Sequence, residues 1–134
     1  MTVLDTSAVV DYLMGVGVSR RVDSLIRIEG ELAAPDVMVF EVLAAIRRQA
    51  LAGGLDSQRA IAAIEDLQDL PIELFPSMSL RSRAFELRDN FTAADGLFAA
   101  LAEQLREPLA TKDAALARAV VQHCDASVVA LSTA

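Results

Sequence analysis

Short apolar runs alternate along this chain with longer stretches in which apolar residues recur at helical spacing. Residues 2–4 read as a buried strand, and residues 7–14 as a helix that Gly15 and Gly17 end. An amphipathic helix over 19–28 leads through Gly30 to a second strand at 32–34. Pro35 and Asp36 introduce a helix over 37–51, which Gly53 and Gly54 stop. Ser57 caps a helix expected over 57–70, and Pro71 and Pro76 bracket a strand at 72–75. A helix over 80–88 follows, and Thr92 is the expected N-cap of another that runs to Arg106. Pro108 precedes a strand at 109–111, Asp113 caps a helix over 114–123, and a last strand is expected at 128–131. The alternation predicts an α/β fold: a short parallel sheet of about four or five strands, flanked by helices on both faces. No internal repeat, low-complexity tract or linker divides the sequence, so residues 1–134 are expected to form one domain.

Composition narrows the class. Hydrophobic residues make up 54% of the 134 residues and aromatics 4%, which suits closely packed helices and a homodimer with a buried interface. No run reaches the roughly 18 uncharged apolar residues of a membrane span, and Asp5 falls too early for a signal-peptide apolar region. A cytoplasmic protein without membrane association is expected. Cys124 has no second cysteine to pair with, and neither it nor His123 has neighbours at zinc-ligand spacing. A net charge of −7 excludes a broadly basic surface that binds nucleic acid by releasing counterions, although it leaves a nucleic-acid substrate open. The close pairs Arg20/Arg21, Arg47/Arg48 and Arg81/Arg83 are either bidentate phosphate contacts or solvated helix faces.

Candidate chemistry lies in four acids, Asp5, Glu41, Asp95 and Asp113. Asp5 and Asp113 each follow the carboxyl end of an expected strand, where ligands gather in open parallel sheets. Each would also serve as an ordinary helix cap. Glu41 interrupts an apolar segment beside Phe40, Val42 and Leu43, which implies a desolvated carboxylate or a core-edge pair with Arg48. Asp95 lies in the first turn of its helix, where the helix dipole alone favours an acid. Brought together, carboxylates about 4 Å apart repel by roughly 4 kcal/mol per pair at an effective dielectric near 20, so a cluster calls for a cation. Oxygen ligands favour Mg²⁺ or Mn²⁺. Thr6, Ser7 and Thr111 stand beside these acids and either orient them or cap turns. Asp11 and Asp89 are expected to be solvated, His123 to compensate a helix dipole, and Lys112 to contact phosphate or point to solvent.

Taken together, Val3-Leu-Asp-Thr-Ser-Ala, Phe40-Glu-Val, Thr92-Ala-Ala-Asp-Gly-Leu-Phe-Ala-Ala-Leu-Ala and Leu109-Ala-Thr-Lys-Asp-Ala-Ala-Leu resemble the PIN-domain ribonucleases, specifically toxins of the VapC type. The resemblance covers nearly the whole chain, including Arg88-Asp-Asn before the third acid and Leu116-Ala-Arg-Ala after the fourth. It implies a PIN-like α/β nuclease whose acids, here Asp5, Glu41, Asp95 and Asp113, hold Mg²⁺ or Mn²⁺ and hydrolyse RNA by a metal-activated water, leaving a 5′-phosphate. Thr6 and Ser7 match a hydroxyl position after the first acid, and Thr111 one before the fourth. The resemblance further implies an antitoxin whose apolar helix fills a groove on this protein. Two departures stand out. Ala94 replaces a frequent Tyr, and Gly96 is unusually small, which would widen the site or soften the helix start.

Other readings compete. A phosphoryl-transfer domain of the haloacid dehalogenase type needs a second Asp two residues after the first, where Ser7 stands, and a receiver domain usually has adjacent acids there. A catalytically silent binding module would use the acids only as caps and core ion pairs.

Overall fold

The protein is described by a computed structural model in which residues 1–132 are placed. Five strands form one sheet: β1 (Val3–Leu4), β2 (Leu32–Pro35), β3 (Ile72–Phe75), β4 (Leu109–Thr111) and β5 (Val128–Ala130). Their spatial order is β3-β2-β1-β4-β5, and every pairing is parallel. Parallel neighbours need crossovers, and seven helices flank the sheet among the described residues. These are α1 (Thr6–Met14), α2 (Ser19–Glu29), α3 (Val37–Leu51), α4 (Ser57–Asp66), α5 (Arg81–Glu86), α6 (Ala93–Leu105) and α7 (Ala114–His123). The expected parallel α/β architecture is observed.

Burial follows position in the sheet. All residues of the three inner strands are buried, as expected where both faces of a parallel sheet are covered, whereas the edge strands β3 and β5 are partly exposed. α6 packs against β1, β2 and β4 and buries Gly96 and every residue from Phe98 to Ala102. A helix whose middle is apolar on every side belongs in such a central place.

Several boundaries differ from expectation for local reasons. Asp56, rather than Ser57, caps α4, accepting from the Gln58 backbone N–H at 3.0 Å. The expected helix over 57–70 ends at Asp66 and passes into a 3₁₀ turn, Leu67–Asp69. The expected helix over 80–88 is regular only over Arg81–Glu86 and follows a 3₁₀ turn, Ser77–Leu80. α1 starts one residue early, at Thr6. Gly96 neither widens a site nor loosens α6: it is buried, and a Cβ there would lie 3.0 Å from the Ala84 carbonyl oxygen. Its small size permits the close approach of α5 to α6.

The chain moves outward from β1 through β2 to β3, then crosses to the opposite side of β1 to form β4 and β5. That reversal opens a crevice at the carboxyl ends of β1 and β4.

Candidate active site

Asp5 leaves the carboxyl end of β1 at the N-cap position of α1, yet its side chain makes no capping hydrogen bond. Instead its Oδ2 accepts from the Thr111 hydroxyl at 2.6 Å and the Ser7 hydroxyl at 3.1 Å, in a setting that leaves Asp5 8% exposed. The capping alternative for Asp5 is thereby replaced by a carboxylate held from two sides. Thr111, the last residue of β4, is fully buried, and its Oγ1 also accepts from the Asp113 backbone N–H at 3.0 Å. A single hydroxyl thus joins the first acid to the loop that carries the fourth.

Glu41 projects from α3, and its Oε1 accepts from the Thr6 hydroxyl at 2.6 Å. It is half-buried, and among the described residues no ion pair joins it to Arg48. Of its apolar neighbours only Val42 is buried, since Phe40 is 68% and Leu43 46% exposed. α3 therefore buries a narrow stripe, Met38, Val42 and Ile46, and leaves apolar side chains outside it. Asp95 stands in the first turn of α6, where the Thr92 hydroxyl accepts from its backbone N–H at 3.1 Å. Burial raises the Asp95 carboxyl pKa, and Asp5, Glu41 and Asp113 raise it further against an opposing hydrogen bond from Thr92. Asp113 caps α7, its Oδ1 accepting from the N–H groups of Ala115 at 2.9 Å and Leu116 at 3.1 Å. The capping reading of Asp113 holds alongside its place in the cleft.

All four acids line one cleft of about 480 Å³, with Thr6 and Ser7 beside them and Phe40, Ala44, Arg48 and Lys112 among the other walls. Of the six paired arginines, Arg48 reaches this cleft, while Arg83 is bound to Glu103 at 2.8 Å and Arg81 donates to the Met78 carbonyl at 2.7 Å. His123 lies outside the cleft lining, with its ring edge-on to Phe91 at 6.4 Å between centroids. Asp89 is exposed, as expected. Asp11 departs from expectation: it is 8% exposed, lines the cleft and pairs with Lys112 at 2.7 Å. Nothing in the sequence around Asp11 separates it from a solvated helix charge, because its partners come from residues 18 and 112.

Among the described residues no three acidic, histidine or cysteine side chains come together as a ready-made metal cage. The donor set nevertheless fits a hard divalent cation. Mg²⁺ typically keeps several waters and takes only one or two carboxylates, so carboxylates spread around an open cleft suit it better than a closed cage would. Burial first and the neighbouring carboxylates second raise the Asp95 pKa, and a cation would relieve the second of these.

Residues 2–121 match the PIN domain family. The chain belongs to the PIN-domain family. It is 33% identical over 135 residues to ribonuclease VapC12 of Mycobacterium tuberculosis (strain ATCC 25618 / H37Rv), a span of 97% of this chain and 100% of that one. It is 37% identical over 128 residues to ribonuclease VapC1 of the same strain, across 95% and 96% of the two chains. PAE2754 from Pyrobaculum aerophilum shares the fold with a TM-score of 0.67 at 19% identity, over 95% of this chain and 81% of that one. FitAcB from Neisseria gonorrhoeae does so with a TM-score of 0.63 at 21% identity, over 96% of each. The PIN-domain assignment agrees with the cleft at the carboxyl ends of β1 and β4.

Proposed function

We propose that this PIN-domain protein is a metal-dependent endoribonuclease and the toxin of a cytoplasmic toxin-antitoxin pair, built as a single nuclease domain over residues 1–134. The observation that carries the reading is the convergence of Asp5, Glu41, Asp95 and Asp113 on one cleft. The similarity to proteins named as VapC ribonucleases supports RNA as the substrate.

Asp5, Asp95 and Asp113 are the proposed direct or water-mediated ligands of Mg²⁺ or Mn²⁺, with Glu41 a ligand or the group that orients the attacking water. A divalent cation bound there would acidify water and neutralise charge that develops on the phosphate. The protein's own part is orientation. Thr111 and Ser7 fix Asp5, and Thr6 fixes Glu41, each by donating a hydroxyl hydrogen to the carboxylate. Such hydrogen bonds hold each carboxylate in one orientation, as outer contacts do around metal sites. The Thr111 hydroxyl also accepts from the Asp113 backbone N–H, which ties the loop of the fourth acid to the partner of the first. Specificity would come from the shape of the cleft walls and from single-stranded presentation of the RNA.

Calorimetric titration of the partner-free protein with Mn²⁺, beside Asp5→Asn, tests the site whichever RNA is the substrate. Saturable binding that the substitution abolishes is expected; a folded wild type that binds no Mn²⁺ would remove the mechanism. That result would favour a catalytically silent PIN-like module, a reading that draws on Asp113 already serving as a helix cap and on the carboxylates remaining apart.

An antitoxin is the proposed protein partner. An apolar groove of about 430 Å³, lined by Met38, Val39, Leu43, Ile64, Leu67 and Leu70 among others, suits the apolar face of a helix. A homodimer is the second proposed assembly, supported by exposed apolar side chains such as Phe85 and Val121. No helix among the described residues is long and apolar enough to cross a membrane.

A further inference from the structure

One buried carboxylate of the cleft has no part in the proposed metal site. Asp11 is 8% exposed, and its Oδ2 accepts from the Val18 backbone N–H at 3.1 Å and from the Lys112 ammonium at 2.7 Å. The turn between α1 and α2 is built around this group. Gly17, at φ +53°, passes close over the carboxylate, and a Cβ there would overlap Asp11 Oδ2. Lys112 is the only lysine of the chain and stands between Thr111 and Asp113, with its side chain 38% exposed. An ammonium has three donors, so anchoring to one acceptor leaves others for a ligand. Anchoring also removes rotamer freedom before a ligand arrives, which lowers the entropy cost of the later contact.

Topology gives this cation its place. α3 leaves β2, and Lys112 follows β4, the two strands that flank β1. Arg48 and Lys112 therefore reach the cleft from elements on opposite sides of Asp5. A polyanion that entered an acidic cleft would be repelled at every step unless fixed cations met its phosphates.

We propose that Lys112 contacts a backbone phosphate of single-stranded RNA in the cleft and that Asp11 positions it. The proposal rests on the ribonuclease reading above. Lys112 acts as a point charge shared between Asp11 and a phosphate oxygen, and Asp11 as a positioning residue that never touches the substrate.

The test is binding of a labelled random-sequence single-stranded RNA to the partner-free protein, read by fluorescence anisotropy across a KCl series, with Ca²⁺ in place of Mn²⁺ to slow hydrolysis. Lys112→Met is expected to weaken binding roughly tenfold at low salt, the scale of a lost charged hydrogen bond. It should also flatten the plot of log affinity against log salt by about 0.7, the share of one single-strand phosphate. Lys112→Arg should keep the wild-type slope. Asp11→Asn, which still accepts from Val18, should weaken binding while keeping the slope, because the charge persists without its anchor. A Lys112→Met protein with an unchanged slope and a lower melting temperature would make the pair a structural clamp and overturn the proposal. Should Lys112→Met not fold, Lys112→Gln removes the charge while retaining a donor to Asp11, and the same two slopes decide. Wild-type protein that binds no RNA would overturn this proposal and the ribonuclease reading together; failure of Mn²⁺ binding alone would touch only the latter.

Discussion

Thr111 carries two hydrogen bonds that no other residue type of its size supplies in that orientation, one into Asp5 and one from the Asp113 backbone. Replacing it by Val leaves Asp5 without its shorter partner and the Asp113 N–H without an acceptor, in surroundings where Thr111 itself is 1% exposed. An unsatisfied buried group costs about 1–3 kcal/mol, so Thr111→Val is expected to lower stability by that order in a thermal melt. If Asp5 binds metal, loss of this outer support should also weaken Mn²⁺ binding by about 10–100-fold in calorimetry, while Thr111→Ser preserves it. An unchanged affinity in the Val variant would separate Thr111 from the metal site. The residue types were legible here, since hydroxyls beside acids stand out in the sequence. Their partners were not, because residues 5 and 111 meet only through the pairing of β1 with β4.

At the scale of elements, α5 and α6 approach so closely that only Gly fits at position 96 without a shift. A Cβ there would stand 3.0 Å from the Ala84 carbonyl and 3.4 Å from its Cα, both backbone atoms with little freedom to yield. Gly96→Ala is expected to destabilise the protein by about 1–3 kcal/mol, as overpacking usually does, despite the better helix propensity of Ala. A melt showing equal or higher stability would mean that α5 moves aside freely. The Arg83–Glu103 pair ties the same two helices at 2.8 Å, and Glu103 also accepts from the Asp125 backbone N–H. These contacts hold the Glu103 carboxyl below its usual pKa, chiefly through Arg83. The associated stability is present above the ordinary Glu range and is lost as pH falls through the lowered folded value. Helix existence was readable from periodicity throughout, whereas the 3₁₀ turns at Leu67–Asp69 and Ser77–Leu80 were not, because i→i+3 and i→i+4 bonding share nearly the same apolar spacing.

For the whole molecule, the acidic cleft sets function against stability. Asp95 has a raised pKa, first from burial and then from Asp5, Glu41 and Asp113. A carboxyl whose folded pKa lies above its unfolded one contributes stability below the unfolded value, lost as pH rises through the folded value. At neutral pH, without metal, ionised Asp95 therefore opposes folding. Asp95→Asn is expected to raise the melting temperature of the metal-free protein at pH 7, with the gain disappearing as pH falls below about 4, the ordinary Asp pKa. The same variant should lose most Mn²⁺ binding and the stabilisation that Mn²⁺ confers on the wild type. A lower melting temperature at pH 7 would show that the Asp95 contacts outweigh the repulsion. The sequence by itself determined the alternation of strands and helices, and it singled out the four acids, because periodicity, acids at strand ends or helix starts and an acid within an apolar segment are local properties of a chain. Only the tertiary structure decided that Glu41 faces Thr6 rather than Arg48, that Asp11 is buried on Lys112, and that Phe40 and Leu43 lie outside the core. Those outcomes depend on strand order and helix packing, which bring together residues as far apart as 11 and 112 and which no local pattern encodes.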